Sequence, residues 1–106
     1  MRPRDRKYRT ERERSSAMVR KKMRFYGSVQ GVGFRYRARY AAEMYGCTGW
    51  VANEWDGSVS MEIQGEEEQI DQVILTIERG AYVRIENMEC KTIPVIEEHG
   101  FDYGRH

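Results

Sequence analysis

The sequence predicts a two-layer α+β sandwich of the ferredoxin-like kind. Its elements run β-α-β-β-α-β, with an antiparallel sheet, both helices on one face and a short extra strand at the C-terminus. Three observations carry this. Apolar residues alternate with polar ones in several short stretches, and two of these are joined by the turn Asp56-Gly57. Two further stretches place apolar residues at helical spacing, one after each of the first and third alternating runs.

The first strand carries Met23, Phe25, Gly27 and Val29. After a glycine-rich turn, Phe34, Ala38, Ala41, Ala42 and Tyr45 recur at helical spacing, so a helix is expected from Arg35 to a stop at Gly46. Strand two follows from Cys47 to Glu54, and Val59, Met61 and Ile63 alternate along strand three. The second helix opens at Glu66-Glu67-Glu68, where negative charge meets the positive end of the helix, and buries Ile70, Val73, Ile74 and Ile77 before Arg79-Gly80. Residues 83 to 93 form a fourth strand with Met88, Cys90 and Thr92 on one face, and Phe101 and Tyr103 mark the short last strand.

A chain of 106 residues makes one domain. Its net charge of +1 hides a division, because residues 1 to 22 hold ten basic and three acidic residues while the remainder is acidic. The expected organisation is a basic, disordered arm over residues 1–22 and a globular domain over 23–106, with Met18 and Met23 as alternative starts. The arm has neither the apolar core of a secretory signal nor the apolar face of a mitochondrial presequence, and no segment has the length of a membrane span. A cytoplasmic monomer is expected. Contact with nucleic acid or an anionic surface is expected through the arm only. Cys47 and Cys90 fit no metal or redox spacing, and each reads as a small apolar residue in a strand, too far apart to bridge.

The most informative stretch is Gly27-Ser28-Val29-Gln30-Gly31-Val32-Gly33-Phe34-Arg35, which sets three glycines and an arginine where strand one turns into helix one. Glycines let successive N–H groups converge, the helix start adds unpaired donors, and an arginine supplies a planar fork for phosphoryl oxygens. The spacing matches neither the dinucleotide fingerprint nor the Walker loop. A second stretch, Gly49-Trp50-Val51-Ala52-Asn53 running into Asp56-Gly57-Ser58-Val59, places an asparagine at the end of a strand. Together the two stretches resemble the acylphosphatase family, over residues 24 to 103. Phe25 stands where that family usually has an aliphatic residue, and Cys47 where leucine is common; both are apolar core candidates. Other users of the same fold fit less well. An RNA-recognition domain needs aromatics on strand three, a metal chaperone needs paired thiols after strand one, and the hydrogenase-maturation carbamoyltransferases continue into further domains.

No serine or cysteine has an evident base partner, and His99 and His106 lie far from the loop as surface residues. The chemistry must then need neither a protein nucleophile nor a general acid. Hydrolysis of an acyl phosphate qualifies, since its carboxylate leaving group, with a pKa of about 4, departs without protonation. The resemblance implies that Arg35 grips the phosphoryl group with the backbone N–H groups of Gln30, Gly31, Val32, Gly33 and Phe34. It also implies that Asn53 orients the attacking water and that the water's proton passes to the substrate's own phosphate. No metal and no cofactor are expected. Arg37 and Arg39 are expected on a solvated face, the alternative for Arg39, one helical turn beyond Arg35, being to widen the positive field at the loop mouth; Trp55 at the hairpin tip is placed to touch the acyl group. The alternative is a non-catalytic module that uses the same loop and the arm to hold phosphate, nucleotides or nucleic acid; Asn53 favours the enzyme, since a pure binder needs no water-orienting amide.

Overall fold

The computed structural model of the chain describes residues 17–104. Five strands and two helices follow one another as β1 (Met18–Ser28), α1 (Phe34–Tyr45), β2 (Thr48–Asn53), β3 (Val59–Glu66), α2 (Glu67–Glu78), β4 (Arg84–Ile93) and β5 (Phe101–Tyr103). The sheet order is β4-β1-β3-β2-β5. This is the expected ferredoxin-like arrangement, with one difference: β5 pairs parallel to β2, so the sheet is mixed rather than antiparallel. A chain leaving β4 at one edge must cross the whole sheet to reach the other, and it arrives running alongside β2.

Core formation follows the expected periodicities. Met23 and Phe25 of β1, Val51 of β2 and Val59, Met61 and Ile63 of β3 are buried on one face of the sheet. Against them lie Phe34, Ala38, Ala41 and Ala42 of α1 and Ile70, Val73 and Ile77 of α2. Phe25 and Cys47, the two departures from the family pattern, both sit in this core, and the Phe25 and Phe34 rings meet at 5.0 Å. Helix α1 begins at Phe34, one residue before Arg35. Its C-terminal stop is the left-handed Gly46, as the sequence requires.

The boundary expected between residues 22 and 23 falls inside β1. Residues 18–22 are strand, and Arg20, expected in a solvated arm, is only 2% exposed. Charge hid the strand. Arg20 lies on the sheet face away from the helices, where its guanidinium makes a two-point contact with Glu98 (2.7 and 3.3 Å) and reaches Glu62 and Gln64 (3.0 and 3.2 Å). Lys21, on the opposite face, pairs with Glu67 of α2 at 2.7 Å. The rest of the expected arm, and any nucleic-acid contact through it, lies outside the described residues.

The segment from 94 to 100 crosses this open face as a strap. Gln64 Nε2 donates to Ile96 O (2.7 Å) and Ile96 N–H donates back to Gln64 Oε1 (3.0 Å), while Arg20 holds Glu98. Burial alone would lower the Arg20 pKa, but the hydrogen bonds and charges of Glu98 and Glu62 reverse the sign and raise it. Between strap and sheet edge runs a concavity of about 660 Å³, lined in part by Lys22, Arg24, Trp50 and Lys91. Trp50 is thus a sheet-packing residue on the face away from the helices.

Cys47 is buried and Cys90 is exposed; both are free thiols. The second of these corrects the expectation of a packed residue. Met88 and Cys90 face the helix side, in register with Phe25 and Met23, but β4 is the edge strand and the helices do not extend over it. Strands β1 and β3 separate the two cysteines. No helix of the described residues is long and apolar enough to cross a membrane.

Removing Arg20 takes its guanidinium away from the Glu62 and Glu98 carboxylates and leaves the strap with fewer ties to the sheet. Arg20→Met is expected to cost about 3 kcal/mol of unfolding free energy in urea titration. Lys22→Met, on the same face with no ion pair among the described residues, should stay within about 0.5 kcal/mol. Equal effects of the two substitutions would show that the strap network does not stabilise the fold.

Candidate active site

At one end of the sheet, β1 stops at Ser28 and the chain turns through Gln30–Gly33 before entering α1. Gly31 and Gly33 have φ of 72° and 84°, the left-handed region in which a side chain is strained. Those dihedrals let the loop fold tightly onto the helix start, and Arg37 N–H donates to Gly33 O (3.0 Å) as the first turn closes. Val29 and Phe34, on either side, are buried and anchor the loop to the core.

The two helices end differently. Helix α2 has Glu67 and Glu68 in its first turn, and its N-cap Glu66 donates its N–H to Gln69 Oε1 at 3.3 Å. Helix α1 has no acidic residue in its first turn, and its N-cap Gly33 has no side chain to offer. The chain therefore answers the positive end of α2 with its own carboxylates and leaves that of α1 open to an anion from outside.

Asn53 comes beside this loop by a side-chain bond that sequence reading missed. Gln30 Nε2 donates to Glu54 O (2.7 Å) and Ser58 O (2.8 Å), tying the loop to both arms of the β2–β3 hairpin. Gln30 was expected to contribute only its backbone N–H. Its carboxamide instead fixes where the next motif stands. The hairpin is itself braced: Ser58 N–H and Oγ donate to Asp56 Oδ1 (3.0 and 2.6 Å), and Arg24 reaches Asp56 Oδ2 and Ser58 Oγ (3.0 and 2.8 Å). Hydrogen bonds from Ser58, then from Arg24, hold the Asp56 carboxyl down at about 2.

A cleft of about 300 Å³ opens between these parts, lined by Val29, Gly31, Gly33, Phe34, Arg35, Tyr36, Asn53 and Tyr103. The structure thus brings Arg35 and Asn53, from motifs on separate elements, into one cavity. Arg35 is exposed, and among the described residues it pairs with no carboxylate; its neighbour is the Tyr103 ring, 5.7 Å from the guanidinium carbon. Arg39 lies 5.3 Å from the same ring and pairs with Glu43 at 3.2 Å. Tyr103 was legible only as a strand residue, because its place at the site depends on the parallel docking of β5. Trp55 is 95% exposed and does not line the cleft, so the aromatic wall is Tyr103 instead. Arg37, which the sequence leaves as an ordinary surface residue, donates to Thr76 O at 2.9 Å and joins the two helices.

His99 is exposed, and His106 lies outside the described residues. Burial pushes the Cys47 thiol up to about 11, so it is a neutral packing group at neutral pH. Among the described residues, no three His, Cys, Asp or Glu side chains converge where they could share a metal ion.

Comparison with known proteins agrees with the geometry. Residues 21–103 match the model of the acylphosphatase family. An acylphosphatase of Oceanobacillus iheyensis is 43% identical over 74 residues, 68% of this chain and 81% of that one, and one of Clostridium acetobutylicum is 40% identical over 81 residues, 76% and 89% of the two chains. The crystal structure of the Bacillus subtilis acylphosphatase superposes with a TM-score of 0.75 at 26% identity, covering 82% of this chain and 99% of that one. Full-length HypF in its phosphate- and nucleotide-bound form superposes at 0.76 and 27% identity, but there the match covers only 12% of that chain, against 85% of this one.

The depressed Asp56 carboxyl links hairpin stability to pH. A group whose folded pKa lies below its unfolded value, here about 2 against roughly 3.9, gives stability that is present above pH 4 and lost as pH falls towards 2. Asp56→Asn is expected to lower the melting temperature at pH 6, with the gap from the parent closing between about pH 4 and pH 2. A gap that persists unchanged at pH 2 would remove the carboxylate from the account of hairpin order.

Proposed function

Because the chain belongs to the acylphosphatase family, we propose that the cleft between the β1–α1 loop and the end of β2 is where it hydrolyses acyl phosphates, with Arg35 and Asn53 in separate roles. The observation that carries this reading is the meeting of Arg35, Asn53 and the loop glycines in one cavity. A dianionic phosphoryl group entering it meets the Arg35 fork and the N–H groups of Gln30 to Phe34 at the uncapped start of α1. Positive potential is then concentrated on the group that becomes more crowded with charge in the transition state.

A water held by the Asn53 amide oxygen attacks phosphorus in line with the anhydride bond. The phosphorus–oxygen bond to the acyl group breaks, and the carboxylate leaves with the bonding pair. The water's proton passes to the phosphoryl oxygens, giving a carboxylate and inorganic phosphate. Asparagine is too weak a base to ionise water, so its contribution is orientation. Tyr103 flanks Arg35 and limits the directions the guanidinium can take. The two free thiols fit a reducing, cytoplasmic setting.

Release of benzoate from benzoyl phosphate tests the assignment. Arg35→Gln is expected to lose turnover and inhibition by inorganic phosphate together, while Arg35→Lys recovers little because an ammonium lacks the planar two-point contact. Asn53→Ala should lose most turnover yet still be stabilised by phosphate in thermal shift. If it keeps more than about a tenth of the parent rate, less than roughly 1.4 kcal/mol belongs to Asn53 and the water-orienting role is wrong.

The rate should also survive excess EDTA, since arginine and backbone amides supply the positive charge in this reading. Loss of activity in EDTA, restored by a divalent cation, would falsify the metal-free route.

A further inference from the structure

The concavity on the open sheet face, about 660 Å³ against about 300 Å³ for the cleft, shares no lining residue with it. Its floor includes one cross-strand row: Lys91 of β4, Lys22 of β1, Glu62 of β3 and Trp50 of β2, each in register with the next. The strap adds Ile96, half exposed, to the wall. A concavity of this size, with an apolar end and a few polar groups, is of the kind that holds a small molecule.

Charge in this groove is matched except at two positions. Arg20 holds Glu62 and Glu98, so the Glu62 carboxylate is engaged there and not with Lys22, its other neighbour in the ladder. Arg24 is tied to Asp56 and stands opposite Glu89, which accepts the Tyr26 hydroxyl proton at 3.2 Å. Lys22 and Lys91 remain. They face each other directly across β1 and β4, both exposed, and neither has an ion pair or a side-chain hydrogen bond among the described residues. Like charges directly opposite each other destabilise a sheet. An anion seated between the two ammonium groups turns that repulsion into two attractions.

The rest of the row limits what the anion is attached to. Trp50 lies two strands from Lys22, about 10 Å at the strand spacing of a sheet, and with Ile96 it makes the far end of the groove apolar. A bare inorganic ion fills the lysine end only. We infer that the groove is a second ligand site, for a small organic anion whose carboxylate or phosphate sits between Lys22 and Lys91 and whose flat apolar body, about two rings long, reaches Trp50 and Ile96. The body crosses Glu62, whose charge Arg20 already answers. Residues 1–16, with seven basic and three acidic side chains, carry the wrong charge to fill this place.

Two lysines suit such a head group of either kind. An ammonium is a compact charge with rotatable donors, so the pair accepts a planar carboxylate or a tetrahedral phosphate, where an arginine fork would favour two-point geometry. The probes are therefore 2-naphthoate and 2-naphthyl phosphate, titrated into the full chain. Binding is read from the indole N–H resonance of Trp50 in a two-dimensional NMR spectrum, and Trp55→Phe assigns the two tryptophans. Both probes are expected to move the Trp50 resonance, and the tighter of the two identifies the head group. Neutral 2-naphthalenemethanol should bind at least about tenfold more weakly, since it offers the lysines no charge.

Lys22→Met and Lys91→Met should each weaken the affinity read at Trp50 about tenfold, with thermal melts close to that of the parent confirming that both are folded. Arg35→Gln, which disables the cleft, should leave that affinity unchanged and so separates this site from the catalytic one. A Trp50 resonance that stays in place at millimolar probe overturns the proposal, as does unchanged affinity in either lysine variant. Equal binding of the neutral alcohol, or loss of binding with Arg35→Gln, overturns it as well.

Discussion

Two hydrogen bonds from the Gln30 carboxamide decide how the glycine-rich loop stands against the β2–β3 hairpin. A glycine-rich loop can adopt many shapes, and a hairpin tip can swing; neither motif alone fixes where Arg35 and Asn53 stand relative to each other. Gln30 Nε2 closes on Glu54 O and Ser58 O together, so loop and hairpin move as one body. The left-handed glycines on either side of Val32 then shape the cradle without disturbing that tie. The hairpin carries its own brace in Asp56, Ser58 and Arg24, which keeps the acceptor carbonyls in place.

The second organising constraint is topological. Because β4 and β5 occupy opposite edges, the chain between them has to lie across the open sheet face, and it needs polar partners there. Arg20 and Gln64 provide them. The strap so held delivers β5 to the far edge, where Tyr103 meets Arg35 and Arg39. A charged network on one face of the sheet is thus connected, through a single segment, to the aromatic wall of the cleft.

Charge is handled differently at three places. Buried at Arg20, it is paired with two carboxylates and an amide, which is the condition for a guanidinium to leave water. At the start of α2 it is answered locally by glutamates. At the start of α1 and at Arg35 it is left without a carboxylate among the described residues, and Arg35 lies instead against the Tyr103 ring.

Periodicity and turn chemistry are local properties, and the sequence by itself determined the features that rest on them alone. These are the order of elements, the core faces of β2, β3 and both helices, the stop at Gly46, the Asp56-Gly57 hairpin, and the two motifs that hold Arg35 and Asn53. It misplaced the start of β1, because Arg20 and Lys21 read as solvated charge until their partners, some forty or more positions away, are in view. It misjudged Cys90, because exposure depends on whether a helix extends over an edge strand. It gave no sign of the Gln30 clamp, of Tyr103 at the cleft or of the strap across the sheet. Each of these is a contact between segments remote in the chain, and only the tertiary structure, which sets strand order and pairing direction, decides which remote groups come within hydrogen-bonding or ring-stacking reach.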